Sequence, residues 1–172
     1  MKKIALALSV CALIACQNQS KNTVNIIDMT KFNPGQPAIN FRYPDVDGNQ
    51  VSLLDFKGSY VYVDIWATWC GPCKREIPHL VELEKEYHKK NIVFLSISVD
   101  QDEDREAWLN MLEEKEMGGV QLFASGWSQI TQDYKINSIP RFMLFDTEGN
   151  IINVRASRPS DPETRRLFDK IL

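Results

Sequence analysis

Cysteine and histidine are scarce in this chain. Four cysteines and two histidines stand among 172 residues, and two of the cysteines, Cys11 and Cys16, fall in an apolar N-terminal stretch. Cys70, Cys73, His79 and His88 are all that remain elsewhere. A structural zinc site needs about four ligands. These four would set three on one helix, with nothing to supply a second knuckle, so no metal site is expected and both histidines read as helix-surface residues. Basic blocks are also missing. With 20 basic and 23 acidic residues the net charge is −3, and no clustered Lys/Arg patch suggests nucleic acid. Repeats and low-complexity tracts are absent. The composition that is left, 44% hydrophobic and 25% charged, is that of one globular domain with a sizeable core.

The first residues read as a targeting segment. Lys2-Lys3 is a charged start and Ile4 to Ile14 an apolar centre, too short for an ordinary membrane-spanning helix. The ending Leu13-Ile14-Ala15-Cys16 resembles the bacterial lipoprotein processing box, in which cleavage falls just before the Cys and its sulfur takes lipid. The alternative is a secretory signal that happens to contain a Cys. On the lipoprotein reading, residues 1–15 are a signal peptide and Cys11 leaves with them. Cys16 becomes a thioether, and Cys70 and Cys73 are the only redox-active thiols. Several acyl chains would anchor stably where one is marginal. Loss of Lys2 and Lys3 leaves 18 basic against 23 acidic residues, a net charge of −5. Residues 16–30, polar after Cys16, read as a flexible tether, and residues 31–172 as the folded domain.

The stretch Asp64-Ile65-Trp66-Ala67-Thr68-Trp69-Cys70-Gly71-Pro72-Cys73 joins a run of β-formers to a helical segment. At the first turn of a helix the unpaired amides and the macrodipole favour an anion, so a thiolate at Cys70 is stabilised. Cys73, one turn on, can reach the first sulfur. Such a pair can cycle between dithiol and disulfide without rebuilding the fold. A purely structural disulfide would close a very short loop, the kind that gains least from cross-linking.

This stretch, with Glu76 and Pro78, resembles the thioredoxin superfamily, nearest to its TlpA-like and ResA-like extracytoplasmic thiol–disulfide oxidoreductases. Ile139-Pro140 before Phe142-Met143-Leu144-Phe145 is similar to the family's cis-proline loop. Asp45-Val46-Asp47-Gly48-Asn49 and Leu53-Leu54-Asp55-Phe56-Lys57-Gly58 also match, so the likeness runs from about Phe32 to the C-terminus. It implies an α/β thioredoxin-like fold: a central mixed sheet flanked by helices, an N-terminal β-hairpin extension, and an inserted helix–strand element over Asp102–Phe123. It implies no cofactor beyond the Cys70–Cys73 disulfide.

Taken in order, Phe41–Tyr43 and Gln50–Leu53 read as a hairpin across Asp47-Gly48-Asn49. Ser59–Trp66 and Ile92–Val99 read as strands buried on both faces. The helix after Cys73 shows Ile77, Leu80, Val81, Glu84 and Tyr87 on one side, with a kink expected at Pro78. Asp102–Met117 reads as an amphipathic helix with Trp108, Leu109 and Leu112 inward, ended by Gly118-Gly119. Val120–Phe123 is a short strand and Ser128–Tyr134 helical. Arg141–Asp146 and Ile151–Val154 form a second hairpin, and Asp161–Leu172 closes as a helix with Ser160 or Asp161 as N-cap.

Roles follow. Cys70, the more exposed sulfur, is the expected nucleophile and Cys73 the resolving thiol. Gly71-Pro72 shapes their turn and resembles reducing members of the superfamily. Asp64 interrupts an apolar strand; burial would raise its pKa and let it exchange a proton with Cys73 near neutral pH. Its place six residues before Cys70 matches the buried Asp of thioredoxin. The alternative is an edge-strand Asp facing water. Glu76 matches the helix Glu of ResA-like proteins, so which acid serves Cys73 stays open. Trp69, and Trp66 unless it is only core, would wall the site. Cis Pro140 would leave the Ile139 backbone free to pair with an extended substrate. Arg141 could bias partner choice.

The expected function is reduction of protein disulfides on the periplasmic side of a bacterial cell envelope, by a domain lipid-anchored to a membrane. The partners implied are protein thiols and disulfides, apocytochrome c among them, and a membrane redox protein that donates electrons. One rival is a thiol peroxidase-like redoxin, which needs Thr/Ser-x-x-Cys; Thr68 stands two residues before Cys70 instead. The other is a metal- or haem-handling lipoprotein. The N-terminal box predicts that Cys16 is the acylated first residue of the mature protein. Mass spectrometry of the membrane fraction checks this, and an unmodified Cys16 or cleavage elsewhere would refute it.

Overall fold

The computed structural model describes Phe32–Leu172; the expectations for the signal peptide, Cys16 and the tether lie outside those residues. Two short strands come first, β1 (Arg42–Pro44) and β2 (Gln50–Ser52), paired antiparallel. Then follow β3 (Tyr60–Trp66), α1 (Gly71–Tyr87), β4 (Ile92–Ser98), α2 (Arg105–Glu114), β5 (Val120–Phe123), α3 (Gln129–Asp133), β6 (Arg141–Phe145), β7 (Ile151–Asn153) and α4 (Pro162–Ile171). The main sheet has the order β5-β4-β3-β6-β7. β3, β4 and β5 run parallel; β6 pairs antiparallel with β3, and β7 antiparallel with β6. This is the mixed sheet flanked by helices that the resemblance implied, with the hairpin extension and, in α2–β5, the inserted helix–strand element.

β3 is central, and alternation along it sorts two cores. Val61, Val63 and Ile65 pack with Trp108 and Leu112 of α2 and with Ile130 of α3. Tyr62 packs on the other side with Leu80, Leu83 and Tyr87 of α1 and Phe168 of α4. Phe168 is wholly buried and meets Tyr62, Tyr87 and Phe94 edge-on, with ring centroids 5.2, 5.3 and 6.1 Å away. Such contacts add to the burial of the ring itself.

Both hairpin turns use one device. Asp45 Oδ1 accepts from the N–H groups of Asp47 and Asn49 at 2.9 and 2.8 Å. Asp146 Oδ1 accepts from Glu148 and Asn150 at 2.9 and 2.7 Å. Gly48 and Gly149 take φ of 88° and 83°, the left-handed step each turn requires. The outer strands are also covered. Gly35 and Ala38 donate to Ile151 and Gly149, and Ile151 donates to Gln36, which lays residues 35–38 along β7. Asp45 bridges Leu122 on β5 at the opposite side.

Several boundaries differ from expectation. The helix expected over Asp102–Met117 is a 3-10 turn, Asp102–Asp104, followed by α2, which ends at Glu114. Glu116, with φ 51°, makes the left-handed step before Gly118-Gly119 is reached. Leu109 points outward at 38% exposure, because Trp108 and Leu112 already fill the inward stripe. Pro78 lies inside α1 as expected and is exposed, and the buried face of α1 also includes Leu83. Asp161 is the N-cap of α4, accepting from Glu163 N–H at 2.9 Å.

Phe168→Ala should cost about 4 kcal/mol, the cavity-forming loss of a buried aromatic. Urea unfolding checks this through a lower midpoint at an unchanged slope.

Candidate active site

The parallel strands end level with one another, with Trp66 opposite Ser98 and Ser98 opposite Phe123. β6 begins at this same edge, with Arg141 opposite Ile65, so Pro140 stands level with Trp66. The loops after β3, β4 and β5 and the loop before β6 therefore share one end of the sheet. That end is where open α/β sheets collect their functional groups.

Cys70 is the N-cap of α1, and Pro72 occupies its first turn. The cysteines form a disulfide, Cα–Cα 5.3 Å. Cys73 N–H donates to Cys70 Sγ at 3.1 Å, so one amide of the first helical turn already faces the sulfur that would carry a thiolate. The expectation of an exposed Cys70 needs correction: its exposure is 4%, against 2% for Cys73. Only the order holds, because Trp66, Ala67 and Ile77 pack round the pair in one core. Gly71 and Pro72 are exposed. So is Trp69, at 55%. Trp66 is wholly buried and belongs to the core, not to the wall of the site. The Ile139–Pro140 peptide is cis, and both residues are half-buried.

Asp64 lies in the central strand and is buried, which rules out the edge-strand alternative. Its neighbours in register are Ser96 and Phe142, so it shares the α1 face with Tyr62. Oδ1 has no hydrogen-bond partner. Burial, then the negative charges of Glu76 and Glu84 on α1, push its pKa up to about 8. Cys73 is one helical turn before Glu76, on the same buried stripe of α1.

Glu76 is not a solvated helix residue. It is 8% exposed, and its carboxylate accepts from Ser160 N–H at 3.1 Å and Ser160 Oγ at 3.0 Å. Arg158 Nη1 lies 3.8 Å from it. These contacts tie the loop before α4 to α1. Glu84, also on α1, is raised to about 7, mainly by burial. His79 faces Glu82 at 3.9 Å and His88 faces the Lys85 carbonyl at 2.8 Å, both at the surface. Among the described residues no cluster of three or more His, Cys, Asp or Glu could hold a metal ion.

Sequence reasoning missed Asp100. It is wholly buried after β4 and accepts from Thr68 N–H at 3.0 Å, Thr68 Oγ1 at 2.8 Å and Ser98 Oγ at 2.7 Å. Its carbonyl accepts from Gly126 N–H at 2.6 Å. The signal was there: Asp100 is the first charge after the apolar run from Ile92, at the C-terminal end of a parallel strand. Trp127, 42% exposed in the loop after β5, was also passed over. Ser160 carries no such signal, since it meets Glu76 across 84 residues.

The Redoxin family profile matches residues 33–171. Thiol-disulfide oxidoreductase ResA of Bacillus thuringiensis subsp. konkukian (strain 97-27) is 32% identical over 141 residues, spanning 82% of this chain and 80% of that protein. A crystal structure from Bacteroides vulgatus, assigned as a thiol-disulfide oxidoreductase, superposes with TM-score 0.74 at 43% identity, covering 83% of this chain and 99% of that one. A thiol-disulfide oxidoreductase from Bacteroides fragilis NCTC 9343 is similar at 29% identity and TM-score 0.68, covering 79% and 100%.

A raised Asp64 pKa sets the sign of a pH effect. Below the unfolded carboxyl value near 4 both states hold the proton; between about 4 and 8 only the folded protein does, so stability falls as pH rises through that window. The loss through this group is on the order of 5 kcal/mol. Asp64→Asn should therefore stabilise the oxidised protein far more at pH 8.5 than at pH 4.5. Urea unfolding of both proteins at the two pH values checks this; identical pH slopes would contradict it.

Proposed function

We propose, from the premise that this chain belongs to the Redoxin family and is a thiol–disulfide oxidoreductase, that it reduces protein disulfides outside the cytoplasm, held to a membrane by lipid on Cys16. The observation that carries the reductase reading is the placing of Cys70 at the N-cap of α1, with the Cys73 amide on its sulfur. A thiolate there is favoured without any neighbouring base. The Gly71-Pro72 turn, similar to that of reducing relatives, supports the same direction. The anchor rests on the Leu13-Ile14-Ala15-Cys16 box.

In the reduced protein the Cys70 thiolate attacks one sulfur of a substrate disulfide. The other substrate sulfur leaves as a thiolate and takes a proton from water. Cys73 then gives its proton to ionised Asp64 and attacks Cys70 Sγ. The second substrate sulfur leaves, and the Cys70–Cys73 disulfide remains. Two electrons have passed to the substrate. Asp64 suits this step because a pKa of about 8 lies close to that of an ordinary thiol, about 8.5, so the proton moves nearly uphill-free. Glu76 is less suited, since Ser160 and Arg158 already hold its carboxylate. We assign it to fixing the loop that faces the site.

Trp69, Gly71 and Pro72 offer contact surface around the sulfurs, and the Ile139–Pro140 loop offers backbone to an extended substrate strand. An envelope compartment is oxidising, so an electron donor is required. A membrane protein that passes electrons outward meets that need. Cysteines of apocytochrome c and of damaged envelope proteins are the substrate classes proposed.

Cys70→Ser should abolish reduction of insulin disulfides, whereas Cys73→Ala should accumulate mixed disulfides visible on non-reducing gels. Asp64→Asn should slow the resolution step about a hundredfold, the scale of lost general base catalysis, and the attack by Cys70 far less. Stopped-flow fluorescence of the two phases checks this. Equal slowing of both, or a comparable loss of resolution in Glu76→Gln alone, would transfer the role from Asp64.

A further inference from the structure

A cleft of about 160 Å³ opens beside Pro140, lined by Arg141, Phe142, Arg155, Ala156 and Arg158. Three arginines therefore line one cleft next to the cis-proline loop. Arg158 has Glu76 at 3.8 Å, and that carboxylate is already held by Ser160. Arg141 and Arg155 have no carboxylate within 4 Å among the described residues. Arg141 is the telling one. It is 8% exposed, and among the described residues its one side-chain hydrogen bond is a long contact of 3.5 Å to the Val154 carbonyl. Its other guanidinium N–H groups have no protein partner among the described residues and are not sealed from solvent. Burial, and after it the nearby Arg155 charge, both work against this guanidinium. Nothing in the packing of β6 requires Arg here: its neighbours in the strand, Phe142 and Met143, are apolar.

Position says what the anion is. Pro140 ends the loop that offers backbone to the substrate, and Arg141 follows it directly. A strand paired with Ile139 would point alternate side chains toward and away from the domain. One of them, beside the target cysteine, would reach the cleft.

We propose that Arg141, Arg155 and Arg158 form a subsite for the carboxylate of an Asp or Glu that flanks the disulfide in the substrate protein. Arg forks fit a carboxylate by paired, charge-assisted hydrogen bonds. The inference rests on the reductase reading above and deepens it by naming a substrate class.

The test uses the full chain, purified in detergent and reduced with dithiothreitol. Two disulfide-bonded peptides, identical except for Glu or Gln beside one cysteine, serve as substrates. For the wild type, kcat/KM should favour the Glu peptide about tenfold, the scale of one charge-assisted hydrogen bond. In Arg155→Gln and Arg141→Gln the ratio should fall to about one. Arg155 is exposed, so its variant keeps the test decisive if Arg141→Gln misfolds. Lys89→Gln, which removes the same charge beyond the far end of α1, should keep the ratio. A ratio near one in the wild type, or one that survives in Arg155→Gln, or one lost equally in Lys89→Gln, overturns the subsite. Reduction of both peptides at equal rates removes the subsite alone. Reduction of neither removes the reductase reading with it.

Discussion

A single buried side chain, that of Asp100, holds the working end of the molecule together. It stands just past β4, beside the central strand, and accepts hydrogen bonds from Thr68 and Ser98. Its main chain takes the N–H of Gly126. The loop that carries Trp69 and Cys70 and the loop that carries Trp127 therefore lean on the same residue. Loops are the mobile parts of most domains, yet a sulfur that must meet an incoming disulfide end-on needs a fixed position. The hydroxyl and amide of Thr68 gain a partner they would otherwise find only in water, and each would be costly to bury alone. The helix N-terminus can act on Cys70 only because this arrangement brings the chain into α1 at a set angle.

The two acids expected near the thiols have separated environments. Asp64 has burial without partners, and Glu76 has burial with three. Burial leaves Asp64 Oδ1 without a donor and favours its neutral form, while the Glu76 carboxylate accepts two hydrogen bonds from Ser160 beside Arg158. Sequence position alone placed both near Cys73. Their surroundings decide which one can trade a proton and which one acts as a clamp. The clamp also explains why the loop before α4 lies against α1 at all, since Ser160 brings both its amide and its hydroxyl to Glu76.

Much of this was legible in the residues. The runs Ser59–Trp66 and Ile92–Val99 are apolar enough to be read as buried strands, and Tyr60–Trp66 and Ile92–Ser98 are parallel neighbours in the sheet. Asp47-Gly48-Asn49 and Thr147-Glu148-Gly149-Asn150 announced their hairpins, while the Asp45 and Asp146 side chains that fold back on these turns are seen only in the structure. The boundaries of α2 were not legible, because Asp102–Asp104 has the charge pattern of a helix start and the chain adopts the tighter 3-10 turn there. Leu109 was misjudged because periodicity marks an apolar stripe without saying how wide the receiving groove is. The shallow exposure of Cys70 could not be read either; it depends on Trp66 and Ile77 closing round the disulfide. Contacts such as Ser160 with Glu76 and Tyr43 with the Ile130 amide join residues 84 and 87 positions apart. No local pattern encodes such pairs.

The residues that lie along the outer strands set a limit on where the chain can be cut. Residues 35–38 occupy the free side of β7, and Asp45 meets β5 on the other side. A truncation that began the domain at β3, where the redox fold proper starts, would strip both covers at once. Two rows of unpaired amides and carbonyls would then face solvent, the template on which one chain adds to another. Removal of residues 35–45 would open the outer sides of β7 and β5 to a second chain.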